Sequence, residues 1–421
     1  METQSNVQKC PFAGKSIPKV DYTDTEFLSN PFPSYGVLRE EAPAYEVAFS
    51  NGQRFWLVTR YEDAIAIFKD PRFTKDIKKT KPKDETGAKQ AAAMSQLFSH
   101  HVLYMDPPDH TRLRQLVQKA FTPKLVEAMR PHIQKITDDL LDKFIPLGKM
   151  DVINDYALPL PISIISELLG IPAKDQPNFR RWSNIILNID LVATPAERMA
   201  MMPEAIGGFT RYLHEIFEDK HHHPANDLIT SLVQAKEGGD KLNETELMST
   251  VFLLFAAGYE TSVNLIGNGV LELLRNPQQR ELLEKDPSLI SSAIEEVLRL
   301  EPPVLMASER YTLEPVEVGG VTIPPGALVH ICIGSANRDP SRFPDPDAFD
   351  ITRTDNKHFS FGHGIHYCIG SSLGKLEGEI AIRSLMSKAP LFTAAEDLDS
   401  LKYKKNAVMR GLEKLPILFN L

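Results

Sequence analysis

The chain has 421 residues, 42% of them hydrophobic, which is enough to bury a sizeable core. Lys and Arg number 47 against 56 Asp and Glu, a net charge of −9 that removes any general electrostatic attraction to nucleic acid. Three widely spaced cysteines (Cys10, Cys332, Cys368) exclude a disulfide framework and paired zinc spacing, and fit a reducing cytoplasm.

Residues 1–21 are polar and lack the apolar centre of a signal peptide. No apolar run approaches the ~20 residues of a membrane span, so no membrane anchor is expected. Without repeats or long linkers, 1–421 reads as a single domain. Arg54 to Thr59 predicts a strand, Tyr61 to Lys69 a short helix, and the charged stretch Lys75 to Lys89 a solvated loop. Helical periodicity dominates from His110 to Arg299, with Pro123, Pro131, Pro172 and Pro203 dividing it into separate helices. Within it, Ile185 to Met202, with Met199, Met201 and Met202, reads equally as a mobile lid or as ordinary helix packing. His221 to His223 point in different directions on a helix, so they mark a solvated end and no metal site. After Pro302-Pro303 come short β-type runs: Val316 to Val318, Val321 to Ile323 and Leu328 to Ile333. A Pro- and Asp-rich meander follows from Asn337 to Phe349, then a closing helix and a strand-like tail, Ala407 to Phe419. The fold class is mainly α with a small β region (α+β).

Four stretches carry chemistry. In Asp106 to Arg114, His110 and Arg114 are i and i+4 on one helix face, two donors suited to a carboxylate. Asn243, followed by Glu246, predicts the capped start of a helix running to Asn276, roughly 50 Å at 1.5 Å per residue. Gly258 in its middle costs about 1 kcal/mol relative to alanine, so something needs the space. Ala257 and Thr261 share a face there, although close packing of two helices accounts for small residues equally well. Glu296 and Arg299 form an i,i+3 pair worth, on its own, ~0.2–0.5 kcal/mol. Finally, Phe361-Gly362-His363-Gly364-Ile365-His366-Tyr367-Cys368-Ile369-Gly370 crowds three glycines around one cysteine, just before the amphipathic segment Ser371 to Lys388. Glycine permits positive φ and close approach of a bulky partner. A cysteine at a helix start has its thiolate favoured by free N–H groups and the helix dipole, as a metal ligand or a nucleophile. The bland alternative is a structural cysteine in a glycine-rich turn.

This last stretch resembles the cysteine-ligand loop of the cytochrome P450 family, in the form common in soluble bacterial members. The resemblance covers nearly the whole chain in the family's order and implies its fold: a long helix over a haem and the cysteine loop beneath it. It implies haem b (iron protoporphyrin IX) with the Cys368 thiolate as proximal iron ligand, and Phe361, Gly362 and Gly370 around it. Ala257, Gly258, Glu260 and Thr261 match the oxygen-activation motif, with Glu260 and Thr261 delivering protons. His110, Arg114, Arg310 and His366 match the donors to the haem propionates. Glu296, Arg299 and Arg353 match a structural trio that holds the cysteine loop. Family position places Leu103, Phe252, Phe255, Ala256, Val304, Leu305, Met306, Val408 and Met409 along the substrate pocket, with residues 97–102 beside Leu103. One departure is Gly374-Lys375-Leu376-Glu377 in place of Ala-Arg-Leu-Glu, which bears on redox-partner contact.

The function implied is a monooxygenase that inserts one oxygen atom of O2 into an apolar small molecule: a macrolide or polyketide, a steroid or terpenoid, or a fatty acid. Electrons are expected from a separate ferredoxin with its reductase, or a flavodoxin, because three scattered cysteines hold no iron–sulfur cluster. A monomer is expected. The alternatives weighed are a peroxygenase using hydrogen peroxide, whose members carry Arg-Pro where this chain has Glu260-Thr261, and a non-catalytic haem sensor, which needs neither residue.

Overall fold

The computed structural model describes residues 17–48, 52–80, 100–187, 195–237 and 240–420. Cys10, residues 81–89 of the expected loop, 97–99 of the expected pocket and 188–194 of the Met-rich segment lie outside the described residues.

Two regions divide the described chain. The first is a five-stranded sheet formed by β1 (Ala44–Ala48), β2 (Arg54–Val58), β3 (Phe73–Thr74), β4 (Arg310–Thr312) and β7 (Leu328–Ile331). Their order is β1-β2-β7-β4-β3; β7 runs parallel to β2 and the other pairs are antiparallel. A hairpin of β5 (Val316–Val318) and β6 (Val321–Ile323) lies between β4 and β7 in the chain, each strand alternating buried and exposed residues. Helix α1 (Tyr61–Lys69) follows β2, as the sequence predicts. Lys75, immediately after β3, corrects the expectation of a solvated loop: it is 2% exposed, and its Nζ donates to the Ser308 carbonyl at 2.9 Å. Local charge content could not reveal that a distant strand folds over it.

The second region is helical: α2 (Asp109–Ala120), α3 (Arg130–Phe144), α4 (Pro159–Leu169), α5 (Gln176–Leu187), α6 (Pro195–His222), α7 (Glu244–Arg275), α8 (Ile290–Leu300) and α9 (Ser371–Lys388). Pro131 sits in the first turn of α3, where a missing N–H costs nothing. Pro203 does not divide helices as expected but lies inside α6. Its i−4 neighbour Met199 is 58% exposed, so the turn that loses a hydrogen bond lies at the surface. Met201 is also exposed, whereas Met202 is buried.

Helix α7 organises the whole. Its 32 residues begin in a complete capping box, with Asn243 accepting from the Glu246 N–H and Glu246 accepting from the Asn243 N–H, both at 2.9 Å. By length and hydropathy, α7 and Val152–Leu169 could each cross a membrane, contrary to the expectation that nothing here is long and apolar enough. Each is 67% buried by the rest of the fold, however, and their apolar surface is core. Of the strand-like tail, Pro416–Leu418 is a strand and Met409 forms a single bridge to Val304.

Candidate active site

The cysteine loop is built as its composition predicts. Gly362 and Gly364 have φ of 71° and 73°, the left-handed region that a side chain disfavours. Gly370 does not share this conformation: at φ −83° it is the N-cap of α9, and an added Cβ would lie 3.9 Å from the Cys368 sulfur. The Cys368 N–H donates to the Phe361 carbonyl at 2.9 Å, closing the loop. Unlike the wholly buried Cys332, Cys368 is accessible at its surface, yet it sits deep enough for burial to push its thiol up. The N–H groups of Gly370 and Ser371 and the Arg114 charge offset part of that rise. The helix-start effect expected from the sequence is therefore present but outweighed by burial.

Three residues, two of them fully buried, tie the loop to the helices. Arg299 and Glu296 are 0% exposed, and the guanidinium forks onto the carboxylate at 2.7 and 2.8 Å. Arg353 joins from the meander at 3.2 Å. Arg299 also donates to the carbonyl of Asn337, whose side chain accepts from the Phe359 N–H at 2.8 Å and donates to Ser360 at 3.0 Å. The chain of bonds thus runs from α8 into the residues before Phe361. Lys375 pairs with Glu295 and lies over the Phe361 ring at 5.3 Å. An open surface cavity of about 570 Å³ beside Glu295 and Lys357 is lined by Arg353 but by none of the cysteine-loop, Ala257–Thr261 or carboxylate-donor residues.

Helix α7 crosses α9 one turn beyond Thr261: Leu265 comes within 3.0 Å of where a Cβ on Gly378 would be. Ala257 is exposed in the middle of a mostly buried helix, and Thr261 on the same face is partly exposed. Thr261 donates its hydroxyl proton to the Ala257 carbonyl at 2.9 Å, which leaves its oxygen able to accept. Gly258 is not on this face. Its missing Cβ makes room for Ile165 of α4, 3.0 Å from the Cβ position, so helix packing explains this glycine. Glu260 is 3% exposed and accepts from Lys404 Nζ at 2.9 Å.

The four predicted carboxylate donors converge. His110 is 2% exposed, and neither of its ring nitrogens has a hydrogen-bond partner. Its ring centroid lies 4.3 Å from that of His366. Burial, then Arg114, pushes the His110 imidazole down; burial, then Lys75, His110 and Arg310, pushes His366 down to about 2. Arg310 is 4% exposed and burial lowers its pKa to about 10. Among the described residues neither it nor Arg114 has a carboxylate within ion-pair distance. An unpartnered buried His110, and two arginines with no carboxylate to neutralise them, set beside an accessible cysteine and an accessible helix face, fit a flat metal-centred group carrying two carboxylates.

A family model for cytochrome P450 matches residues 45–415. The chain belongs to the cytochrome P450 family. It is 44% identical over 404 residues to cytochrome P450 107B1 of Saccharopolyspora erythraea, covering 95% of this chain and 98% of that protein. The structure of the Bacillus subtilis bacillaene polyketide synthase P450 PksS superposes with a TM-score of 0.88 at 39% identity, over 96% of this chain and 100% of that one. P450BioI in complex with a hexadec-9Z-enoic acid-ligated acyl carrier protein superposes at 0.85 and 39% identity, over 94% and 100%. This P450 is therefore a monooxygenase, an oxidoreductase whose cofactor is haem b with a cysteine thiolate ligand.

Within this P450 the expected pocket residues divide. Phe252 and Phe255 turn away from the Ala257–Thr261 face and pack on Phe209 and Phe179 at 5.2 and 4.5 Å, fixing α6 and α5 to α7. Ala256 is buried as well. At 3.6 residues per turn, the partly exposed Leu253 and Leu254 are the residues one turn before Ala257. Leu305 and Met306 are buried too: Leu305 packs against Gly334 and Phe32, and Met306 bridges Cys332. Val304, Val408, Met409 and Leu103 stay partly exposed, and Val304 and Met409 are joined by a backbone bridge. Sequence reasoning missed Lys75 and Lys404, since no local pattern distinguishes either from a surface lysine.

Proposed function

We propose that Cys368 ligates the haem iron, and that the protein oxygenates an apolar small molecule of polyketide, macrolide, steroid or fatty-acyl type. The observation that carries this reading is the accessible Cys368, closed into the loop by its N–H bond to Phe361 and seated at the start of α9. Haem bound through a thiolate supplies dioxygen activation, the thiolate favouring O–O cleavage. His110, Arg114, Arg310 and His366 hold its carboxylates. Thr261 presents a hydroxyl oxygen on the open face of α7 and handles a proton there. Glu260 supplies protons from the adjacent face, with Lys404, a quarter exposed or less, between its carboxylate and solvent. Buried Glu296 and Arg299, with the partly exposed Arg353, keep the cysteine loop in register.

The apolar side chains of Leu103, Leu253, Leu254, Val304, Val408 and Met409 favour an apolar ligand. The names of PksS and of the acyl-carrier-protein complex support polyketide and fatty-acyl chains as the first classes to test. Electrons come from a ferredoxin or flavodoxin, the enzyme works in the cytoplasm, and the family match over 45–415 supports one domain for residues 1–421. Glu260-Thr261 disfavours the peroxygenase reading.

The test is spectroscopic and then catalytic. Reduced protein under carbon monoxide shows the red-shifted Soret band of a thiolate-ligated haem; Cys368→Ala loses it and Cys332→Ala keeps it. Loss in both, or in neither, rejects the ligand assignment. A panel of acyl chains, polyketides and steroids, screened for a spin-state change, then identifies the substrate for product analysis.

A further inference from the structure

Lys75 has no place in the pattern of carboxylate donors, yet it stands among them. Its ammonium donates to the Ser308 carbonyl at 2.9 Å and bonds the Ser308 hydroxyl as well. Arg310 Nη1 donates to that same carbonyl at 3.3 Å. Two cationic side chains, 2% and 4% exposed, thus converge on one neutral oxygen. Among the described residues, no carboxylate lies within ion-pair distance of Lys75. The neighbouring acids are already engaged: Asp106 accepts from the Lys75 backbone N–H at 3.0 Å, from Thr74 and from Lys79 Nζ at 2.8 Å, and Glu309 accepts from Tyr311 at 3.2 Å. Burying cations side by side is unfavourable unless an anion joins them.

We propose that Lys75 is a further cofactor-binding residue, its ammonium donating to a haem propionate beside Arg310. The proposal rests on the haem-thiolate reading above. Four propionate oxygens offer more acceptor positions than His110, Arg114, Arg310 and His366 need to fill, and a lysine on a flexible stem can turn from the Ser308 carbonyl to a carboxylate. Charge assistance makes that bond stronger than the neutral one it replaces.

The experiment measures haem transfer from the holoprotein to an apo-acceptor for wild type, Lys75→Met and Lys75→Arg, with Lys79→Met as an exposed control. Losing one charge-assisted bond should speed haem release on the order of 10- to 100-fold in Lys75→Met. Lys75→Arg should remain within a few-fold of wild type and Lys79→Met unchanged. Holoprotein loaded with haem dimethyl ester, which lacks the carboxylate charges, separates direct contact from mere pinning of Ser308. With the ester, wild type and Lys75→Met should release at the same rate. An undiminished difference with the ester, or no acceleration with haem itself, overturns the proposal. A wild-type protein without the thiolate-ligated haem spectrum overturns instead the reading on which it rests.

Discussion

Removing Arg299 should unfasten the cysteine loop, and the structure sets the scale. Its five N–H donors are all used: two on Glu296 at 2.7 and 2.8 Å, and one each on the carbonyls of Asn337, Pro346 and Ala348 at 3.1, 2.6 and 2.8 Å. With both partners at 0% exposure, Arg299→Met leaves a buried carboxylate with Arg353 and Asn356 as its remaining side-chain partners. Breaking a buried pair from one side costs about 3–5 kcal/mol, against a typical total stability of about 5–15 kcal/mol. Lysine is no remedy, because its three donors leave at least two of five acceptors short, at roughly 1–3 kcal/mol each. The assay is urea unfolding of the holoprotein, followed in parallel by circular dichroism and the thiolate-ligated Soret band. Both midpoints should fall in Arg299→Lys and further in Arg299→Met, with the Soret band lost first, since Asn337 links Arg299 to Phe359 and Ser360. The double substitution Glu296→Leu/Arg299→Met should be less damaging than the two single losses summed, because it leaves no unpaired buried carboxylate. Wild-type midpoints in Arg299→Lys, or strict additivity in the double variant, would refute the reasoning.

Two further outcomes follow from α7 and its surroundings. Thr261→Ala should keep haem and accept electrons but sustain NAD(P)H oxidation with more hydrogen peroxide and less product. Wild-type coupling with a substrate lacking a hydroxyl near the oxidised carbon rejects the threonine's role. Glu377, wholly buried on α9 with neither oxygen in a hydrogen bond, is raised by burial from 4.5 to about 8, the facing Ser262 offsetting a small part. The folded state therefore holds a proton that the unfolded chain releases, so this group's contribution to stability is full below about pH 4.5 and declines as pH rises toward 8. Glu377→Gln should gain on wild type by up to about 1.4 kcal/mol per pH unit across that window. Parallel stability–pH curves for the two proteins would contradict it.

What could be read from the sequence was local or carried by a spaced motif. Asn243 and Glu246 announce the start of α7 because a capping box is complete within four residues. Gly362 and Gly364 announce a turn because only their own φ is at stake. Facing is harder to read. Phe252, Phe255 and Ala257 are close in sequence, but rotation along a helix sends the phenylalanines into the α5–α6 core and the alanine to the open face. Lys75 shows the limit: its neighbours in sequence are charged, and its burial is decided by Ser308, more than two hundred positions away.

Glu260, Asn264 and Asn268 recur every fourth residue, forming a polar stripe on a helix whose surroundings are apolar. What the stripe meets is decided by distant chain. Lys404 donates to Glu260 at 2.9 Å, Gly411 packs where any Cβ would collide with the Asn264 amide, and Asn268 donates to the Arg410 carbonyl at 3.2 Å. One C-terminal segment, closed by the Tyr403–Leu412 bridge, is thus laid along α7 by three successive contacts. Between those contacts the same segment carries Val408 and Met409, which it holds against Leu305 and Val304. The acid beside Thr261 and part of the expected pocket wall therefore hang from one short piece of chain. A polar stripe inside a core helix is expensive where it lacks partners, and here the segment that bonds Glu260 and Asn268 also positions the groups nearest the chemistry.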